Sequence, residues 1–297
     1  MASEVRFTEV ADRVLVARYP QWDVNVGLIL GRAGAVVVDT RASAVQGREA
    51  FDAARAVAKG LRVAHVVNTH VHFDHTFGNI AFEEATIHAH ENVGLRIEQD
   101  AERIKSLFRA DPGDGPEMGY TAADVVDVLA TRVRPPDVTF ADEAVIDLGD
   151  RAVMMAYAGR GHTDGDIRIV VPDADVVFLG DLIEESAHPS LGSDCWPLEW
   201  ATTLAAHLGA IGSDTVLVPG HGRPVDKAFV DRQRQDLATV AEVIRERRLA
   251  GLTLAAAQHE PDNRLPYPLE WLGRAFARGW EHLPGPSGGP SSGSPGT

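Results

Sequence analysis

A chain of 297 residues can bury a substantial core as one large domain, or as one domain with an appendage. Its 28 Lys and Arg stand against 43 Asp and Glu, and a formal charge of −15 disfavours nucleic acid and anionic membrane surfaces as partners. Cys195 is the only cysteine, which excludes an intrachain disulfide, and no apolar run is long enough to span a bilayer. The segment Met1-Ala2-Ser3-Glu4-Val5-Arg6 has no basic region leading into an apolar one, so a cytoplasmic protein is expected.

Apolar runs at 14–17, 26–30 and 35–38, punctuated by Gly31 and Gly34, predict strands joined by hairpin turns. Residues 43–59 have helical spacing, with Phe51, Ala54, Val57 and Ala58 among the apolar positions and Gly60 as the stop. The run 63–67 then feeds Asn68-Thr69-His70-Val71-His72-Phe73-Asp74-His75-Thr76-Phe77-Gly78-Asn79, which packs three imidazoles and one carboxylate into six residues. Strand-like alternation lets His70 and His72 converge on one ion, while Asp74 and His75 lie past a turn within reach of a second. Imidazole and carboxylate without thiolate suit zinc, iron or manganese and argue against a structural zinc knot.

His65, His88 and His90 lie in or beside strands and are expected to pack or cap rather than ligate. Residues 91–109 and 122–133 read as amphipathic helices on either side of a loop rich in Gly and Pro. Strands follow at 138–140, 143–148 and 152–157, then a turn at 159–163 that presents His162, then strands at 167–171 and 176–179, the latter ending at Gly180-Asp181. A helix at 198–211 precedes the strand 215–218 and the loop Pro219-Gly220-His221-Gly222. Buried runs thus end in His70, Asp181 and His221, as two stacked sheets with a shared metal mouth require. Helices at 228–250, 254–259 and 269–280 come last, and residues 284–297, nearly all Gly, Ser and Pro, are expected to be disordered.

With Val36-Val37-Val38-Asp39, Gly161-His162-Thr163, Phe178-Leu179-Gly180-Asp181 and Val218-Pro219-Gly220-His221-Gly222 in order behind H-x-H-x-D-H, the chain resembles the metallo-β-lactamase superfamily over about 10–222. The resemblance implies an α+β fold, a four-layer αββα sandwich of two packed mixed β-sheets flanked by helices. It implies a catalytic domain at 1–225 with a helical insertion at about 91–133 over the site, and helices at 226–283 packed on the same domain. His70, His72 and His162 would hold one metal and Asp74, His75 and His221 a second. Asp181 would bridge the two, with Asp39 beneath them hydrogen-bonded to a ligand imidazole. Two zinc ions are expected, with iron or manganese as alternatives. The implied chemistry is hydrolysis of a small ester, thioester or lactone by a metal-bridging hydroxide that Asp74 orients, with Asp74 also able to take up a proton.

In many β-lactamases a cysteine or serine stands near the position of Asp181, and a bridging aspartate after Gly resembles glyoxalase II and lactonases instead. The basic and aromatic C-terminal residues that hold glutathione in glyoxalase II have no evident equivalent, and Leu182-Ile183-Glu184-Glu185-Ser186 lacks the tyrosine of acyl-homoserine lactonases. The metal loop is also similar to that of some polyketide cyclases acting on acyl thioesters. A mononuclear iron persulfide dioxygenase, a β-lactamase and a non-catalytic scaffold stand as alternatives. A small-molecule substrate is expected. Arg103, Lys105 and Arg109 are read either as contacts for an anionic substrate tail or as a solvated helix face, His188 as a loop histidine, and Cys195 as an ordinary thiol.

Overall fold

Two sheets meet on their inner faces. The computed structural model describes residues 5–112, 119–209 and 211–284. The first sheet runs in chain order from β1 (Thr8–Ala11) through β2 (Val14–Arg18), β3 (Asn25–Gly31), β4 (Gly34–Val38), β5 (Val63–Val67) and β6 (Thr86–His90) to β7 (Val138–Phe140). Pairing is antiparallel up to β4 and parallel beyond it. Parallel neighbours need crossovers. The chain supplies α1 (Ala44–Ala58), then α2 (Phe73–Thr76), then α3 (Glu91–Ala110) with α4 (Ala122–Ala130). The second sheet holds β8 (Glu143–Asp147), β9 (Ala152–Tyr157), β10 (Ile167–Val171), β11 (Val176–Glu184) and β12 (Val216–His221) in that order. Only β11 and β12 pair parallel in it, with α5 (Trp200–Leu208) in their crossover.

Alternation along each strand sorts side chains between layers. Ile29, Val36 and Val38 point inward and meet Ile167, Ile169, Val176 and Phe178 of the other sheet. Leu28, Ala35 and Val37 point outward onto Ala50 and Ala54 of α1, where small side chains let the helix approach closely. The outer face of the second sheet, with Val177, Leu179 and Leu217, is covered by Leu204 and Leu208 of α5. The same cluster takes in Leu237 of α6 (Lys227–Leu249), Ala257 of α7 (Leu254–Ala257) and Phe276 of α8 (Leu269–His282). These are the four αββα layers expected from the sequence. No helix among the described residues is long and apolar enough to cross a membrane. Apart from Pro284, the expected tail lies outside the described residues.

Several boundaries differ from the sequence reading, and the differences place the site. β11 continues past 179 to Glu184, with its register against β12 shifting around Gly180, and β12 runs on through His221. Asp181 and His221 therefore project from neighbouring parallel strands, not from loops. β5 stops at Val67, so His70 and His72 sit on irregular backbone and owe nothing to strand alternation. What holds that backbone is a contact between α1 and the turn after α2. A Cβ on Gly78 would lie 1.8 Å from the Thr40 carbonyl oxygen and 2.8 Å from Gly47 Cα. Both neighbours are backbone, so neither can give way. Gly78→Ala is predicted to lower stability by about 3 kcal/mol or more, read as a reduced denaturation midpoint; an unchanged midpoint would contradict this packing.

Candidate metal centre

The segment that follows β5 is closed into a ring by its own ends. Asn68 Nδ2 donates to Asn79 Oδ1 at 3.0 Å, and Asn79 Nδ2 donates back to Asn68 Oδ1 at 2.8 Å. Asn68 Nδ2 and Thr40 Oγ1 also donate to the His75 carbonyl, at 3.1 and 3.1 Å. Both asparagines and Thr40 are fully buried, so these bonds run in low dielectric, where they are stronger than in water. The clamp explains why the histidines of this segment are bracketed by asparagines, and it fixes the backbone from which His70, His72, Asp74 and His75 project.

Each imidazole is then oriented by the nitrogen that faces away from the centre. His75 Nδ1 donates to Asp39 Oδ2 at 2.8 Å. Thr69 Oγ1 gives its one proton to the same oxygen at 2.8 Å, so it must accept from His70 Nδ1 at 3.0 Å. His162 Nδ1 donates to the Ser190 carbonyl at 3.0 Å and His221 Nδ1 to the Trp22 carbonyl at 2.8 Å. Four rings thereby turn Nε2 toward the centre. His72 is reversed: its Nε2 donates to Asp194 Oδ2 at 2.9 Å, and its Nδ1 faces His162 Nε2 at 2.8 Å. Such outer partners fix the tautomer and raise the basicity of the inward nitrogen.

Ligand atoms of His70, His72, His162 and Asp181 lie within 4.8 Å of one another, and those of Asp74, His75 and His221 do the same. Asp181 stands between the groups, with Oδ2 3.4 Å from His162 Nε2 and 3.2 Å from His221 Nε2, and Oδ1 3.3 Å from His75 Nε2. The Asp74 carboxylate is 3.5 Å from both His75 Nε2 and His221 Nε2. Asp181 comes so close to β12 that a Cβ on Gly220 would lie 1.8 Å from its Oδ1. Glycine beside the ligand is what makes room for the carboxylate. All seven residues predicted as ligands are thus brought together. His65 and His88 are not among them and face each other at 3.1 Å, while His90 caps α3.

The electrostatics of the cluster call for positive charge. Burial holds His70 well below the usual histidine range and pushes His162 down to about 4, so both are neutral acceptors at pH 7. Burial also opposes charge on His72 and His75, but carboxylates outweigh it. Asp194 raises His72 to about 10, and Asp181, Asp74 and Asp39 raise His75 to about 9. His221 is likewise lifted well above its ordinary value, mainly by Asp181, which is itself held low against burial by His221, His75 and His70. Protons thus balance the carboxylates in the metal-free chain. Even so, buried His70 Nε2 and Asp181 Oδ1 are left without a hydrogen-bond partner. A borderline divalent cation fits this donor set of imidazole and carboxylate.

The cluster floors a cavity of about 340 Å³. Trp22, Phe73 and Ile104 make its apolar wall; Glu184, whose carboxyl burial lifts to about 7, adds a polar one. Of Arg103, Lys105 and Arg109 on the insertion helix, only Arg103 lines the cavity. Lys105 donates to the Thr131 carbonyl and Arg109 pairs with Glu102. His188 is exposed and also lines the cavity, against Tyr267 and Trp271. Asp194, Trp271 and Arg274 were not singled out from sequence. Cys195, the neighbour of Asp194, is buried away from the cavity with its thiol pushed up to about 12.

The pattern of the metallo-beta-lactamase superfamily matches residues 19–259. An acyl-coenzyme A thioesterase of Homo sapiens is 28% identical over 176 residues, covering 55% of this chain and 59% of that one. A hydroxyacylglutathione hydrolase of Erythrobacter litoralis is 29% identical over 132 residues, covering 43% of this chain and 38% of that one. The chain thus matches less than two thirds of the length of either relative. Among solved structures, a stereoselective inverting sec-alkylsulfatase from Pseudomonas sp. superposes with a TM-score of 0.71 at 19% identity, over 99% of this chain and 52% of that one, which is a likeness of fold. The chain belongs to the metallo-beta-lactamase superfamily. Uptake of divalent cations at pH 7 is predicted to release about three protons per chain from His72, His75 and His221, because a ligating nitrogen must be bare, and up to about one more from a metal-held water. Calorimetry in buffers of different ionisation enthalpy measures the release; a value near zero would contradict these assignments.

Proposed function

We propose that the chain is a dinuclear zinc hydrolase acting on a small acyl thioester or a related ester or lactone. The observation that carries this reading is the convergence of seven side chains as two groups meeting at Asp181 on the floor of one cavity. His70, His72 and His162 would hold one ion, Asp74, His75 and His221 the other, with Asp181 shared. Cations held there supply Lewis acidity, lowering the pKa of water toward ~7 and polarising a carbonyl oxygen.

The remaining work falls to the chain. Asp74, at the boundary of the second group and open to the cavity, orients the attacking water and takes up its proton. Trp22, Phe73 and Ile104 receive the acyl chain and keep water from its far side. Asp39, through His75 directly and His70 by way of Thr69, sets the direction of two ligands. No thiol or hydroxyl nucleophile is needed, and buried Cys195 takes no part. Two of the relatives are named for cleaving acyl compounds, one of them as a thioesterase, which supports a thioester substrate. A single-iron oxygenase would leave Asp74, His75 and His221 without a cation to hold.

Asp74→Ala is predicted to reduce kcat for an acyl thioester by about 10²-fold or more, with the melting temperature little changed. Retention of kcat would remove Asp74 from the mechanism. Asp39→Asn keeps the shape but turns one acceptor into a donor facing the N–H groups of Thr69 or His75. It is predicted to weaken metal affinity by about 10–100-fold in a chelator competition, and an unchanged affinity would dissociate Asp39 from the ligands.

A further inference from the structure

The rim of the cavity carries a cation with no work to do inside the protein. Leu272, Ala275 and Phe276 are fully buried and anchor α8 in the core, which leaves Trp271 and Arg274, one turn apart, facing the cavity. Trp271 Nε1 donates to the Pro189 carbonyl at 2.9 Å, so the indole is held in place although 43% of the residue is exposed. Arg274 has no hydrogen bond or ion pair among the described residues. Nearby arginines differ. Arg18 is bound to Asp23, Arg223 to Glu185, and Arg278 to Glu281 and the Cys195 carbonyl. Arg103 of α3, also at the rim, engages Asp100 Oδ1 through Nε and Nη2, leaving Nη1 unpartnered among the described residues. In a chain of net charge −15, a guanidinium without a partner among the described residues, lining the same cavity as a second that has one nitrogen to spare, needs an explanation.

We propose that this rim is an anion subsite. Arg274, with Trp271 as its wall and Arg103 as a second cation, binds a carboxylate or phosphate carried by the substrate beyond the reacting acyl group. Guanidinium presents paired N–H donors that match either oxyanion, and an exposed indole packs the chain linking anion to ester. The identity of the substrate rests on the hydrolase reading above; the anion subsite itself does not.

The test uses the full-length, metal-loaded chain and three acyl thioesters, with the leaving thiol ending in a carboxylate, a phosphate or a neutral amide. Wild type is expected to show a charged-to-neutral ratio of kcat/KM of about tenfold or more. That ratio should fall toward one in Arg274→Gln and be partly kept in Arg274→Lys, and the better of the two charged esters identifies the anion. A wild-type ratio near one, or a ratio that Arg274→Gln leaves unchanged, overturns the subsite. If no ester is cleaved, the hydrolase reading fails separately. The subsite is then decided by calorimetric titration with inorganic phosphate, where Arg274→Gln should weaken binding by about tenfold. Absent binding by wild type, or equal binding by the variant, overturns it.

Discussion

The site depends on one carboxylate. Asp39 closes β4 in a left-handed backbone conformation, φ 61°, and accepts from Thr69 N, Thr69 Oγ1 and His75 Nδ1 at 2.8 Å each. Through Thr69 it turns His70, and directly it turns His75, so a single buried group sets one ligand in each of the two clusters. A buried polar network of this kind is worth having only when every member is satisfied. The reciprocal Asn68 and Asn79 bonds and the glycine contact at residue 78 hold the backbone at the register this satisfaction demands.

From that anchor the rest of the fold reads as a means of bringing acceptors together. The first sheet delivers four of the predicted ligands through the segment after β5, and the second delivers Asp181 and His221 from adjacent parallel strands, with His162 from the turn before β10. Five imidazoles and two carboxylates converge. Such a cluster is tolerable only with protons or cations inside it. Elements outside the sheets build what surrounds it. Ile104 and Arg103 come from α3, and Trp271 and Arg274 from α8, so these parts of the wall are separate in the chain from the cluster at its floor, whereas Phe73 lies between His72 and Asp74.

Much of this was legible in the sequence because it resides in side-chain identity and spacing. The H-x-H-x-D-H run, the glycines beside Asp181 and His221, and the period of apolar residues in the strands are local signals, and the layered sandwich followed from the family resemblance that the motifs carry. What escaped has a physical reason in each case. Trp22 and Ser190 act through their carbonyls, which any residue possesses. Asp194 reaches His72 across 122 positions. Trp271 and Arg274 meet the cavity only because α8 packs against α6 and α7, and an amphipathic helix does not announce where its polar face will lie. The ends of β11 and β12 were placed too early because glycine and proline usually stop strands, whereas here a register shift around Gly180 lets pairing resume.

The central claim is that both clusters hold a metal and that hydrolysis needs both. Stepwise zinc titration of the metal-free chain, following bound metal by elemental analysis and thioester cleavage in the same samples, tests it most directly. The account predicts saturation at about two zinc per chain, with cleavage rising mainly as the second ion binds. Full cleavage at one ion per chain, or a chain that takes up none, would contradict it.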